Sequence, residues 1–399
     1  MNKTSGQAQV GSNANGEGGG VRGWWRNRFR RGLVLLAGAA LGAAVAGHGF
    51  VAQRTLFAVR RGPGVTAVWR LSDFAPGLRD TRGDTEVYVL AGAKPGGTVL
   101  VLGGIHANEP AGYVAAVVLV ENAMMAAGRL IVIPTTNASG FTAGDPQEAS
   151  PPAFSLPTAS GPRWFRYGGR GTAVTDQWPD PDVYLHHPSG QTLSGSQTRN
   201  MNRAFPGRAD GNFTERCAWA VTELVRREQV DLVIDLHEAS PEYPVINTIV
   251  AHERAMPLAV SVAMALELRG IKIGLEASPL NLRGLSHREL GDHTPALAVL
   301  METANAAEGR IRGRTTPELI VTGQDKMYVR AARAGRLFVS YDEQGHPLEQ
   351  ERVRRHLAGV EEFLKAWAEE NPARPVVAAR YPEQAVIEKE GLGRYLRRS

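Results

Sequence analysis

Short, almost uninterrupted apolar runs recur along the chain: Thr98-Val99-Leu100-Val101-Leu102, the stretch from Asp231 to His237, and Ala296 to Met301. Runs of this length, rich in Val, Ile and Leu, predict strands buried on both faces. Further strands are predicted at Thr85 to Leu90, Leu130 to Pro134 and Val245 to Ala251. Longer apolar or amphipathic stretches predict helices over Ala111 to Ala127 (ending at Gly128), Thr214 to Glu228, Met256 to Leu268 and Leu348 to Glu369. Strands alternating with helices predict an α/β fold of three layers, with helices on both faces of a mainly parallel mixed central sheet.

A run of another kind lies near the start. Gly32 to Ala52 is apolar apart from His48, and Trp24, Trp25 and several arginines precede it. About 20 apolar residues behind interfacial aromatics and positive charge predict a transmembrane helix, which would anchor the rest of the chain to the membrane outside the cytoplasm. The competing reading is a cleaved signal peptide, for which Ala44-Val45-Ala46 offers the small residues, leaving a secreted or periplasmic protein. Charge narrows the partners. Residues 1–31 carry Lys3, Arg22, Arg26, Arg28, Arg30 and Arg31 against Glu17, a surplus equal to the net +5 of the whole chain. The remainder is neutral, so the basic balance points to the membrane and not to nucleic acid, which would call for a basic patch on the folded domain.

The expected organisation is a disordered basic tail over 1–31, Gly/Asn/Ser-rich through Gly20, then the anchor or signal over 32–52. One large domain over 53–372 follows, with an insertion over 140–198, and a carboxyl-terminal extension over 373–399 closes the chain. The insertion is too long for a plain loop and contains Trp164, Phe165, Tyr167, Trp178 and Tyr184 among many prolines, Pro146 included. An ordered specificity loop is expected there, with His186 and His187 at the surface or packed in the core rather than as ligands. The single cysteine, Cys217, excludes an intramolecular disulfide and is expected to pack in a helix.

Candidate chemistry begins at Gly103-Gly104-Ile105-His106-Ala107-Asn108-Glu109-Pro110, a turn from a strand into a helix, where Pro110 suits the first helical position. His106 and Glu109 offer two metal ligands. His237, at the end of a second strand, lies where an α/β sheet delivers side chains into the crevice at its carboxyl edge, and it offers a third. Three His/Glu ligands leave a fourth position open, as in catalytic zinc sites. Glu302, at the end of the third strand, is the candidate base and acid. Asn202 and Arg203 together suit a substrate carboxylate. Arg283 and His287 lie in a polar loop before Glu302 that could meet the substrate; Arg283 could instead simply pair with Glu289.

Taken in order, these pieces resemble the succinylglutamate desuccinylase/aspartoacylase family, a deacylase branch of the zinc carboxypeptidase fold. The resemblance runs over about residues 85 to 330 and follows the pattern Gly-Gly-x-His-x-Asn-Glu, then Asn-Arg, then Asp-x-His, then Glu on a later strand. It implies one zinc ion and hydrolysis of the amide in an N-acyl amino acid or peptide-like substrate that carries a carboxylate. Two departures stand out. The family reads Asp-Leu-Asn-Arg where this chain has Asn200-Met201-Asn202-Arg203, and Gly195 occupies the place of its polarising arginine. The carbonyl's partner must then come from elsewhere: Arg199 is near in sequence, Arg163, Arg166 and Arg170 lie in the loop from Arg163 to Arg170, and Arg166 is slightly favoured over Arg199. The alternatives are a metallocarboxypeptidase acting on peptides, or a non-catalytic anchored binding protein.

Overall fold

A computed structural model describes residues 18–142 and 150–397, so the tail expected to be disordered lies outside the described residues up to position 17, as do Pro146 and Arg398. The chain divides into two units at Arg54/Thr55. The first contains helix α1, Gly18–Gln53. Its segment Trp24–Gln53 contains an 18-residue window of mean hydropathy 1.8 and is long and apolar enough to cross a membrane, which suits an anchor and a signal sequence equally. The helix starts ahead of the apolar run, so residues 26–31, expected in the disordered tail, are helical. No proline interrupts the chain between Gly18 and Gly32, and nothing there stops a helix from extending.

In the second unit, nine strands form one mixed sheet: β1 Ala67–Arg70, β2 Glu86–Ala91, β3 Lys94–Gly103, β4 Met124–Ile133, β9 Leu232–Ala239, β10 Thr248–Ala251, β11 Gly274–Ala277, β12 Leu297–Ala304 and β13 Val377–Arg380. The order is β1-β2-β4-β3-β9-β12-β10-β11, with β13 against β4. Its centre, β4-β3-β9-β12, is parallel, and antiparallel pairs flank it. The predicted α/β class is therefore observed. Among the described residues of the insertion lie four short strands, where β5 Ala153–Leu156 pairs with β6 Arg163–Arg166 and β7 Val183–Leu185 with β8 Thr192–Ser194.

Alternation along the central strands sets the two cores. Val99, Val101, Ile234, Leu236, Val299 and Met301 face helices α2 (Pro110–Asn122), α4 (Met256–Leu268) and α8 (Arg354–Glu370). Leu100, Leu102, Val233 and Ala298 face α3 (Phe213–Arg227) and α5 (Ser286–His293). Cys217 packs in α3, and burial pushes its thiol up to about 12.

Helix α2 is apolar on all sides and buried from Pro110 through Glu121, as a helix without a polar face must be. It crosses β9 so closely that a Cβ on Gly112 would lie 2.3 Å from the carbonyl oxygen of Leu236. Gly112→Ala should force α2 off the sheet and lower stability by about 1–3 kcal/mol, read as a fall in the unfolding midpoint. An unchanged midpoint would show that the helix can shift freely.

Helix α2 stops at Asn122, short of the expected Ala127, and Met124 to Ala127 already belong to β4. Met124 and Met125 pair with Arg380 and Ala378 of β13, so a distant edge strand overrides local helix preference. Gly128, expected to end the helix, instead lies inside β4 at φ +69°, where a Cβ would meet the Pro375 and Gly97 carbonyls. The expected strand Val245 to Ala251 starts only at Thr248, and the expected helix from Leu348 opens as a π-helical turn, Leu348–Val353, before α8. Residues 373–397 pack onto the domain, with Ile387, Leu392 and Leu396 buried.

Candidate metal centre

Strand β3 ends at Gly103, Gly104 turns the chain at φ +67°, and His106 follows inside the turn. A side chain at Gly104 would strike Phe141 and the Pro134 carbonyl, so only glycine fits. Glu109 stands at the N-cap of α2 but makes no capping bond, because its carboxylate turns towards two imidazoles. Glu109 Oε1 lies 2.7 Å from His106 Nδ1, and Glu109 Oε2 lies 2.8 Å from His237 Nδ1. The three donor atoms fall within 4.8 Å of one another, and all three residues are buried.

The far side of each imidazole is also engaged. His106 Nε2 donates to Asn200 Oδ1 at 2.9 Å, and His237 Nε2 donates to Asp235 Oδ2 at 2.9 Å. Asn200 Oδ1 also accepts from the Asn202 amide, and Asp235 accepts from Ser286 Oγ, so both atoms are acceptors. With Nε2 of each ring engaged, the two Nδ1 atoms face the Glu109 carboxylate, and once they are deprotonated this buried donor set fits a divalent metal with a position left open. Burial, together with the Arg170 charge, pushes His106 down to about 4. Burial acts on His237 in the same direction, but Asp235 and Glu109 outweigh it and raise that imidazole. Burial would raise Glu109, and the two histidines outweigh it and hold the carboxylate well below its usual range.

Glu302 sits across from His237 in the β9/β12 register. Part of its side chain is accessible, while its Oε2 is enclosed and has no hydrogen-bond partner among the described residues. Burial pushes this carboxyl up to about 8, against the charge of His237 and with that of Glu109.

Of the two arginines expected at the carbonyl, Arg166 donates from Nη1 to the Pro152 carbonyl at 3.1 Å within the insertion, and Arg199 forms a two-pronged pair with Asp180 at 2.7 and 2.9 Å. Arg170 occupies the centre instead. Its Nη1 is 2.9 Å from Glu109 Oε1 and also contacts Glu308. Asn202 Oδ1 accepts from the backbone of Ser286 at 2.8 Å, tying the Asn-Arg motif to the start of α5. Arg203 is pushed down to about 10 by burial and then by the nearby Arg170 charge, with Tyr243 and Glu302 also close enough to act on it. Arg283 pairs with Glu289 at 2.8 Å and Asp292 at 2.9 Å. His287 is buried beside the centre, and burial, with the His237 charge next, pushes it down to about 3. In the insertion, Phe165, Tyr167 and Tyr184 are buried, Trp178 is exposed, and His186 donates from Nε2 to the Phe205 carbonyl.

Around the centre, Asp235 and Asn200 had no role in the sequence reading, and Arg170 was among its candidate arginines without being favoured. Asp235 was legible, since residues two apart on a strand share a face. Asn200 stands where the family pattern has an acid and meets His106 with a neutral oxygen. Nothing local favoured Arg170 over the other loop arginines. It arrives because Gly168 N donates to the Ala107 carbonyl and Ala107 N donates to the Gly169 carbonyl, laying the insertion alongside the ligand turn. A Cβ at Gly168 would meet the Gly140 carbonyl at 2.3 Å, so this approach needs a glycine.

Residues 184–318 match the family model of the succinylglutamate desuccinylase/aspartoacylase catalytic domain, and the resemblance drawn from the motifs holds over that segment. The match takes in Asn202-Arg203, His237 and Glu302, with His106 and Glu109 ahead of it. No curated protein matches the chain in sequence. Among solved structures, the chain is similar to the product-bound ectoine utilization protein EutE from Ruegeria pomeroyi, at 19% identity and TM-score 0.36 over 57% of this chain and 56% of that one. It is also similar to a succinylglutamate desuccinylase/aspartoacylase from Rhodobacter sphaeroides, at 17% identity and TM-score 0.36 over 74% of this chain and 60% of that one. A third is the tripeptide-bound cell shape determinant Csd4 from Helicobacter pylori, at 12% identity and TM-score 0.45 over 75% of this chain and 58% of that one. The chain thus spans little more than half the length of the structures it matches.

Proposed function

We propose that this chain is a zinc-dependent amide hydrolase of the deacylase type, acting on an N-acyl amino acid or peptide-like substrate that carries a carboxylate. The observation that carries this reading is the buried His106-Glu109-His237 cluster with the partnerless Oε2 of Glu302 alongside. One zinc ion held by these three residues would supply Lewis-acid polarisation of the scissile carbonyl and acidify water.

The chain's own groups do the rest. Glu302 takes the proton of the attacking water and returns it to the leaving amine, a task suited to a carboxyl lifted towards neutrality. Arg170, which touches Glu109, steadies the negative charge that develops on the carbonyl oxygen. Arg203 receives the substrate carboxylate, with His287 as a neutral neighbour. Asn202 acts with Arg203 by fixing the loop that leads into α5, although its amide nitrogen remains suited to a carboxylate oxygen. Arg166 and Arg199 shape the insertion that walls the site, and Arg283 holds the opposite loop through Glu289. Helix α1 places the domain at a membrane, outside the cytoplasm, as an anchor.

Elemental analysis of the purified full chain, followed by a screen of N-acylated amino acids against short peptides, tests this. One equivalent of zinc and release of free amino acid from an N-acyl substrate is the expected result. Cleavage of peptides alone would make the protein a metallocarboxypeptidase. A chain that retains no metal and turns over nothing would be a binding protein.

A further inference from the structure

We propose that the buried ion pair between Glu238 and Arg352 is a positioning device for the metal centre, setting Glu109 and His237 relative to one another from the opposite face of the sheet. This inference rests on the metal-centre reading above. Consecutive strand residues point to opposite faces, so while His237 turns to the cluster, Glu238 turns to the side of α2 and α8. There Arg352, on the π-helical turn before α8, donates from Nη1 to Glu238 Oε1 at 2.8 Å, and both side chains are essentially inaccessible. The second guanidinium nitrogen of Arg352 donates to the Ile320 carbonyl, which fixes its aim.

Glu238 passes that constraint to the ligands by two routes. Its Oε2 accepts from the Ala111 amide at 2.8 Å, one of the unpaired donors at the start of α2. It thereby caps the helix in place of Glu109, whose carboxylate is left for the histidines. Its own backbone amide donates to Glu109 Oε2 at 3.0 Å. Asn305 closes the arrangement, with its Nδ2 3.3 Å from the Asn108 carbonyl and 3.4 Å from Glu238 Oε2. One carboxylate thus fastens the turn that carries His106 and Glu109 to the strand that carries His237, and Arg352 fixes that carboxylate. If Glu238 rotates, the cap and the spacing of the ligands are lost together.

The test compares the full-length protein in detergent with a double variant, Glu238→Gln with Arg352→Met, which removes both charges and leaves no lone buried ion. Zinc affinity is measured by competition with a chromophoric chelator, and the rise in Tm on adding zinc is recorded alongside. The control is a second buried pair on α2 that lies on the insertion side, Arg163 with Glu121 at 2.9 Å, changed in the same way to Glu121→Gln with Arg163→Met. The Glu238/Arg352 variant should lose about 10- to 100-fold in zinc affinity and most of the zinc-dependent rise in Tm. The control should lower Tm with and without zinc and leave affinity unchanged. Should the double variant not fold, Glu238→Gln alone keeps the side chain's shape and should still weaken zinc severalfold.

Parental affinity in the Glu238 variants overturns the inference, as does an equal loss in the control, which would reduce both pairs to general stability. A parent protein that takes up no zinc overturns the metal-centre reading and this inference with it.

Discussion

Replacing His237 with alanine should strip the protein of metal and of hydrolysis together. The imidazole supplies one of three donors, and its place cannot be taken by a neighbour: Asp235 is held by Ser286 on the far side of the ring, and His287 is not among the clustered donors. Two ligands hold a divalent ion poorly, and without the ion the carbonyl loses several kcal/mol of transition-state stabilisation, on the order of 1,000-fold or more in rate. Metal content after gel filtration and turnover of the best substrate are the two measurements. A His237→Ala protein that retains one equivalent of metal and works at the parental rate would remove this cluster as the active centre.

Glu302→Gln should behave in the opposite way towards the ion, keeping the metal content of the parent while kcat falls about 100- to 10,000-fold, the range for loss of a general base. Glutamine preserves size and cannot take the proton. The variant also has a pH signature. The carboxyl of Glu302 is pushed up to about 8 from its ordinary 4.5, so the metal-free fold favours the protonated form. With the folded value raised, its contribution is fully present below about pH 4.5 and is lost as pH rises through 8. The metal-free parent should therefore lose stability across that interval, and Glu302→Gln should flatten this part of the curve in chemical denaturation. In catalysis the base works deprotonated, so the acid limb of the pH–rate profile should vanish in the variant. A fully active Glu302→Gln enzyme would refute the assignment of the base.

The sheet's central strands were legible because burial on both faces leaves an unbroken apolar run, and the run ends where the chain emerges at the functional edge. That is why His237 and Glu302 could be found at strand ends, and His106 with Glu109 at a strand-to-helix turn. The start of β4 was not legible. Met124 to Ala127 have the composition of a helix, and it is pairing with β13, contributed by the carboxyl-terminal extension, and with Lys94 of β3 that makes them a strand. The arginine at the centre was among the candidates but was not the one favoured, for a related reason. Arg166 and Arg170 lie in one short stretch, and which of them reaches Glu109 depends on backbone pairing between Gly168-Gly169 and Ala107, more than 60 positions away.

The sequence by itself determined the α/β class, the apolar N-terminal helix and the residues that cluster as donors, because these follow from hydrophobic periodicity and from side-chain chemistry at fixed spacing. The tertiary structure alone decided which groups surround those donors. Asn200 orients the ring of His106, Arg170 crosses from the insertion, and Glu238 caps α2 under the hold of Arg352. Each of these contacts joins segments whose separation in the chain carries no local pattern, and each exists only because packing of the sheet and its helices brings the partners within hydrogen-bonding distance.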